Sequence, residues 1–130
     1  PRPAGFSVNI NNITMPCQKP PWSHLTAVDT TTGDIAWRIP LGITEGLSAR
    51  RQNTGRPGRA AALVTANNLL FIASTDDNRL RALRATSGDI LWEQVLERRG
   101  NANPMTYMGN DDKQYVVIAA SDKLVAYSLP

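Results

Sequence analysis

The segment Ala27-Val28-Asp29-Thr30-Thr31-Thr32-Gly33-Asp34-Ile35-Ala36-Trp37 returns later in the chain as Ala82-Leu83-Arg84-Ala85-Thr86-Ser87-Gly88-Asp89-Ile90-Leu91-Trp92. Ala, Gly, Asp, Ile and Trp recur in register, and Ser87 stands where Thr32 does. A third, incomplete copy begins at Leu124-Val125-Ala126-Tyr127. A glycine followed by three residues and a tryptophan has a physical reading. The glycine takes the positive φ of a tight turn, and the indole leaves an outer strand to pack on a neighbouring unit. A unit of this kind cannot bury both faces alone, so copies must stack.

The residues around the repeat read as short strands between turn signals. Leu25–Asp29 and Ile35–Leu41 flank the first turn. Residues 42–60 form a Gly/Arg/Pro loop. Ala62–Ala66 and Leu69–Ser74 make a hairpin across Asn67-Asn68, an Asn pair that tolerates the positive φ of a tight turn. Asp76-Asp77-Asn78 leads into Arg79–Arg84, whose arginines alternate with Leu80, Ala82 and Leu83 roughly as in a half-buried strand. Ile90–Leu96, Pro104–Met108, Gln114–Ala120 and Leu124–Leu129 complete the set. Gly or Asn-Asp breakers recur about every ten residues, too often for stable helices. Strands at this spacing indicate an all-β sandwich or propeller, and the repeat selects the propeller.

The expectation is an all-β, partial β-propeller of about two blades of four-stranded antiparallel sheet. Residues 1–20, rich in Pro and Asn, read as an extended lead-in, and residues 21–130 as blades. With blade strands labelled A to D from the axis outward, the first motif copy supplies C and D only. Residues 62–96 supply a whole blade, and residues 104–129 supply A, B and C. The outer edge of the last unit would then be bare, which predicts that the chain self-associates or borrows residues 1–14 as the missing strand. The start at Pro1 suggests a processed or truncated product.

Composition narrows the chemistry. With 130 residues and a formal net charge of +3, one modest core is the limit. No stretch approaches the roughly 20 apolar residues of a membrane-crossing helix. The single cysteine, Cys17, has no disulfide partner in the chain, and with only His24 beside it the sequence holds no Cys/His metal cluster. Cys17 reads as packed or idle. Arg50, Arg51, Arg56 and Arg59 share the Gly/Pro-rich loop, either as a solvated face or as an anion-binding loop. Nucleic acid is not expected, because no aromatics are interleaved with the basic residues. Asn12-Ile13-Thr14 matches a glycosylation sequon, a pattern short enough to arise by chance.

Ala-x-Asp-x-x-Thr-Gly-x-x-x-Trp, matched in full by residues 27–37, resembles the tryptophan-docking motif of PQQ-dependent (quinoprotein) dehydrogenases. Met15-Pro16-Cys17-Gln18-Lys19-Pro20-Pro21-Trp22 resembles the Pro-Cys-Gln-Gln-Pro-Pro-Trp segment of the membrane-bound glucose dehydrogenase type. Asn103-Pro104-Met105-Thr106-Tyr107, Lys113–Ala120 and Leu124–Pro130 resemble the last blade of the same enzymes. The resemblance covers roughly residues 15–130. It implies the C-terminal part of an eight-bladed periplasmic propeller that oxidises a sugar or polyol with PQQ and Ca²⁺ and passes electrons to quinone. The catalytic base would lie outside these residues, so no catalytic or metal residue is assigned here.

By the same resemblance Asp77 falls near the cofactor, although capping a hairpin turn would serve equally as its role. Arg59 could pair with a PQQ carboxylate. Two departures stand out. Ala60-Ala61 occupy positions where the family has Gly-Gly, and an added Cβ would crowd a cofactor. The chain also runs from Ala120 straight into Ser121-Asp122-Lys123, without the family's Gly-Gly-His loop, so glucose-type substrate handling is not implied. The competing expectation is a non-catalytic propeller resembling outer-membrane assembly lipoproteins that act as scaffolds. In either case the partners would be the remainder of the propeller or copies of the chain, and the fragment alone would be inactive.

Overall fold

A computed structural model of the chain describes residues 6–10, 12–100 and 102–128. Among the described residues eleven strands form four antiparallel sheets. β1 (Ser7–Ile10) pairs with β2 (Ile13–Pro16), and β3 (His24–Val28) with β4 (Ile35–Pro40). β5 (Leu63–Val64), β6 (Leu69–Ile72), β7 (Arg79–Arg84) and β8 (Ile90–Val95) form one four-stranded sheet in sequence order. β9 (Met105–Met108), β10 (Gln114–Ala120) and β11 (Lys123–Ser128) form a three-stranded sheet centred on β10. This two, four and three division is the expected strand count of the three blades. The fold is all-β and a partial propeller. Among the described residues the only helical piece is a single 3-10 turn, Ala49–Arg51.

Local chemistry sets the turns. Asn68 adopts φ 59° between β5 and β6, and Thr65 braces that turn by accepting the Leu69 N–H on its hydroxyl at 3.3 Å. Gly33 and Gly88 sit at φ 82° and 78°, where an L side chain is strained. Both motif copies carry the same register shift, between Ala27 and Val28 and between Ala82 and Leu83. The shift leaves Ala36 and Leu91 without an opposite residue, which is a β-bulge.

The inner strands of the middle sheet, β6 and β7, are covered on both faces, while β8 is exposed along its length. Leu70, Ile72 and Leu83 pack with Leu41 toward the first sheet, where Leu25, Trp37 and Ile39 join them. Phe71 and Ala82 pack with Val116, and Ala73 and Leu80 pack with Ile118 and Ala120, toward the third sheet. Trp37 crosses between sheets. Its Nε1–H donates to the Ala85 carbonyl at 2.9 Å, and a Cβ on Gly88 would lie 2.8 Å from its ring. Trp92 makes the corresponding crossing to the third sheet, meeting Tyr127 edge-on with ring centroids 5.3 Å apart.

Three expectations change. Within the stretch read as an extended lead-in, Ser7–Ile10 folds back on Ile13–Pro16 across Asn12 at φ 63°. Ser7–Ile10 therefore pair with β2 and do not complete the third sheet, in which β11 is bonded to β10 alone; residues 1–5 and 11 lie outside the described set. Arg79–Arg84 is not half-buried with its arginines outward. Arg81 is 1% exposed, because its sheet has a neighbour on each side and a buried guanidinium is stable only when paired.

Candidate functional site

The turn between β6 and β7, Thr75–Asn78, sits at one end of the middle sheet, with Asn78 at φ 56° allowing the reversal. It faces a cleft of about 1310 Å³. The β1–β2 hairpin forms one wall. Ile43–Glu45, Arg56, the turn itself and Arg99 form the other.

Asp77 is the centre of this wall. Its side chain is 1% exposed, and both oxygens are engaged. Oδ1 accepts from Thr75 Oγ1 at 2.6 Å and Arg81 Nη1 at 3.3 Å. Oδ2 accepts the Ile43 N–H at 2.9 Å and a close contact from Arg81 Nη2. Burial alone would raise the Asp77 pKa, but the bonds from Arg81 and Thr75, the Arg81 charge and the Ile43 N–H together hold it below the ordinary aspartate range. Asp77 is thus an ionised carboxylate with its acceptor positions filled.

Arg81 continues the network. Its Nη1 also donates to Thr75 Oγ1 at 3.0 Å, and its Nε meets Glu93 Oε2 on β8 at 2.7 Å. Glu93 Oε1 takes Arg79 Nε at 2.8 Å, and Arg79 Nη1 reaches Glu45 at 2.8 Å. Burial would lower the Arg79 pKa, but Glu45 and Glu93 outweigh it and raise it, so the guanidinium stays charged. Beside this network Arg56 holds Asp76 with two parallel bonds, 2.7 and 3.0 Å.

Arg59 lies apart from this wall. Its backbone N–H donates to Ser74 O at 3.1 Å, its side chain is exposed, and it is not a lining residue of the cleft. The structure does not bring Asp77 and Arg59 into one cleft. Arg50 and Arg51 are exposed on the 3-10 turn, whereas Arg56 is spent on Asp76. Trp22 stays local, its Nε1–H donating to Gln18 O at 2.8 Å. Cys17 is exposed and lines the cleft.

Sequence reasoning singled out Asp77 but missed Arg79, Arg81, Glu93 and Glu45. Arg-x-Arg on one strand face with a glutamate on the next strand was the available signal.

Close backbone approach occurs at Gly58 and not at Ala60-Ala61. A Cβ on Gly58 would lie 2.8 Å from Ser74 O, while the Ala61 N–H is held by Asn103 Oδ1 at 2.7 Å. The Arg59 guanidinium is exposed, as are those of Arg50, Arg51 and Arg99, the last of which lines the cleft. Asp77 has no vacant acceptor to offer a metal ion. Among the described residues no group of three or more His, Cys, Asp or Glu side chains is placed to hold one.

Stacked radial sheets joined by a crossing indole define a propeller segment. Residues 2–116 match the family model described as "PQQ: Glucose/ethanol/alcohol dehydrogenase, beta-propeller domain", and the chain belongs to that family. It is 38% identical to quinoprotein glucose dehydrogenase A of Acinetobacter calcoaceticus, over 96% of this chain and 17% of the relative. It is also 38% identical to the glycerol dehydrogenase large subunit of Gluconobacter oxydans (strain 621H), over 89% of this chain and 18% of the relative. Among solved structures it superposes on a europium-containing methanol dehydrogenase with TM-score 0.57 and 28% identity, covering 73% of this chain and 14% of that one. The chain spans less than a fifth of these relatives.

Proposed function

We propose that the chain is a C-terminal propeller segment of a PQQ-dependent dehydrogenase that oxidises a sugar or polyol alcohol group in the periplasm and passes the electrons to quinone. The observation that supports this is the match to the PQQ propeller family together with 38% identity to a quinoprotein glucose dehydrogenase over 96% of the chain and to a glycerol dehydrogenase large subunit over 89%. PQQ, with Ca²⁺, would supply the oxidising chemistry, and this segment supplies wall and contacts. Arg59 is a side chain suited to a cofactor carboxylate, because its guanidinium is exposed and can bond in two places at once. Asp77 serves the cofactor side as a fixed negative charge. With both oxygens occupied and its pKa held low, it is unsuited to take a proton from an alcohol.

The test is dye-linked turnover of the full-length protein containing this segment, loaded with PQQ and Ca²⁺ and offered glucose, glycerol and quinate. PQQ-dependent oxidation of at least one is expected, and none from the 130-residue chain alone. Failure of the full-length protein to bind PQQ would overturn the reading and support the scaffold. Arg59→Ala is expected to weaken PQQ binding while leaving the sheets intact by circular dichroism.

A further inference from the structure

The connection between β4 and β5 is not loosely draped. Residues 41–56 fold on themselves: the Arg56 N–H donates to Leu41 O at 2.7 Å, the Gly55 N–H to Gly42 O at 2.9 Å, and the Thr44 N–H to Gln52 O at 2.9 Å. The buried hydroxyls of Thr44 and Thr54 lie 2.6 Å apart. What holds this compact loop against the sheet at residues 43 and 45 is charge. Ile43 donates its N–H to Asp77, and Glu45 reaches Arg79. Asp77 and Arg79 are joined through Arg81 and Glu93. The result is a closed circuit of side chains, running from the loop to the inner turn, across β7 to the outer strand β8, and back to the loop.

From this circuit we infer that Glu93, on the outer strand, positions the cleft wall formed by residues 43–45. Glu93 is the carboxylate that both arginines share. Arg79 and Arg81 project from the same face of β7, and each spends its Nε–H on a different oxygen of the same carboxylate. Without that carboxylate, two like charges face one another on a partly buried surface. Arg79 then keeps Glu45, which is largely exposed, and the Asp77 carbonyl at 3.1 Å, while Arg81 keeps Asp77 and Thr75. Each arginine loses the bond that fixes its Nε, which loosens the hold of Arg79 on Glu45 and, through Asp77, the hold on the Ile43 N–H. The inference goes beyond the proposed dehydrogenase function and holds equally for a scaffold, because it concerns the position of the wall and not what the cleft receives.

Native-state hydrogen exchange on the full-length protein containing this segment tests it, comparing Glu93→Gln with the unaltered protein. Amides of 42–46 are expected to exchange faster by roughly tenfold, while those of β10 keep their protection, as expected for opening of one local unit. Unchanged exchange at 42–46 overturns the inference. So does an equal acceleration in β10, which would mean general loosening. If Glu93→Gln fails to fold, Glu45→Gln decides, since it removes only the exposed arm of the circuit. It is then expected to accelerate 42–46 by about two- to threefold, with no change there counting against the inference. PQQ titration of the same variants separates the two readings. Faster exchange with weaker PQQ binding supports both, and faster exchange in a protein that never binds PQQ sustains the circuit while removing the dehydrogenase.

Discussion

The two motif copies share a backbone and differ in their company. Gly33 and Gly88 have nearly the same positive φ, yet a Cβ on Gly33 would meet nothing within 4 Å, whereas one on Gly88 would strike the Trp37 ring. Val28 is 52% exposed, while its counterpart Leu83 is 0% exposed. Thr26, in the position of Arg81, faces solvent; Arg81 is enclosed with two carboxylates. The residues of a blade thus acquire their roles from the blade beside it. In the same eleven-residue frame the first copy has no buried position, whereas the second is buried at Ala82, Leu83 and Gly88.

That contrast is broken most forcefully at Arg81. Arg81→Met strands the buried Asp77 carboxylate, and breaking such a pair costs about 3–5 kcal/mol. Thr26→Met, at the matching exposed position, should stay within about 0.5 kcal/mol. Urea unfolding of the two variants measures the difference. If they cost the same, Arg81 is not the enclosed partner described here.

The pH dependence carries the same sign. Because the folded-state pKa of Asp77 is depressed, its contribution to stability is present above the ordinary aspartate range and lost as pH falls through the lower folded value. In Arg81→Met burial is opposed only by the Thr75 and Ile43 bonds, so the Asp77 pKa rises and acid unfolding should begin at higher pH. Stability curves between about pH 2 and pH 6 show the shift.

Next comes the indole. Trp37→Ala removes a ring packed across two sheets and should cost about 3 kcal/mol. Trp37→Phe keeps much of the packing but loses the bond to Ala85 O, at about 1 kcal/mol. The glycines sharpen the comparison further. Gly33→Ala should cost about 1–2 kcal/mol from the left-handed backbone alone. Gly88→Ala should cost more, because it also displaces Trp37; a double substitution with Trp37→Ala should return it to the Gly33 value. The smallest effect belongs to Lys123→Met, which breaks the exposed bond to Glu97 and should leave the melting temperature unchanged.

The blade architecture was legible because turns write themselves into sequence. Asn67-Asn68, Ser87-Gly88-Asp89 and the Gly-x-x-x-Trp spacing located the strand breaks and the division into sheets. The β1–β2 hairpin carried a usable signal as well: polar and apolar residues alternate from Ser7 to Ile10, and Asn11-Asn12 repeats the Asn pair found at 67–68. Its setting in a Pro/Asn-rich stretch concealed it. The charged circuit was not legible. Ile43 and Asp77 are 34 residues apart, and an arginine on a strand is by default outward-facing. Only the two neighbouring sheets make Arg81 internal, and no local window records them. Asp77 was singled out, but the partners that fill its oxygens were not.

The bulge found at Ala36 and again at Leu91 carries an evolutionary consequence. Alternation along a strand reverses with each residue gained or lost, so the extra residue decides on which side the following tryptophan emerges. Removing Ala36 or Leu91 would turn the indole away from the adjoining sheet without changing any side chain that touches it. Point substitutions at these two places should be tolerated freely, while single-residue deletions should be as damaging as loss of the tryptophan itself.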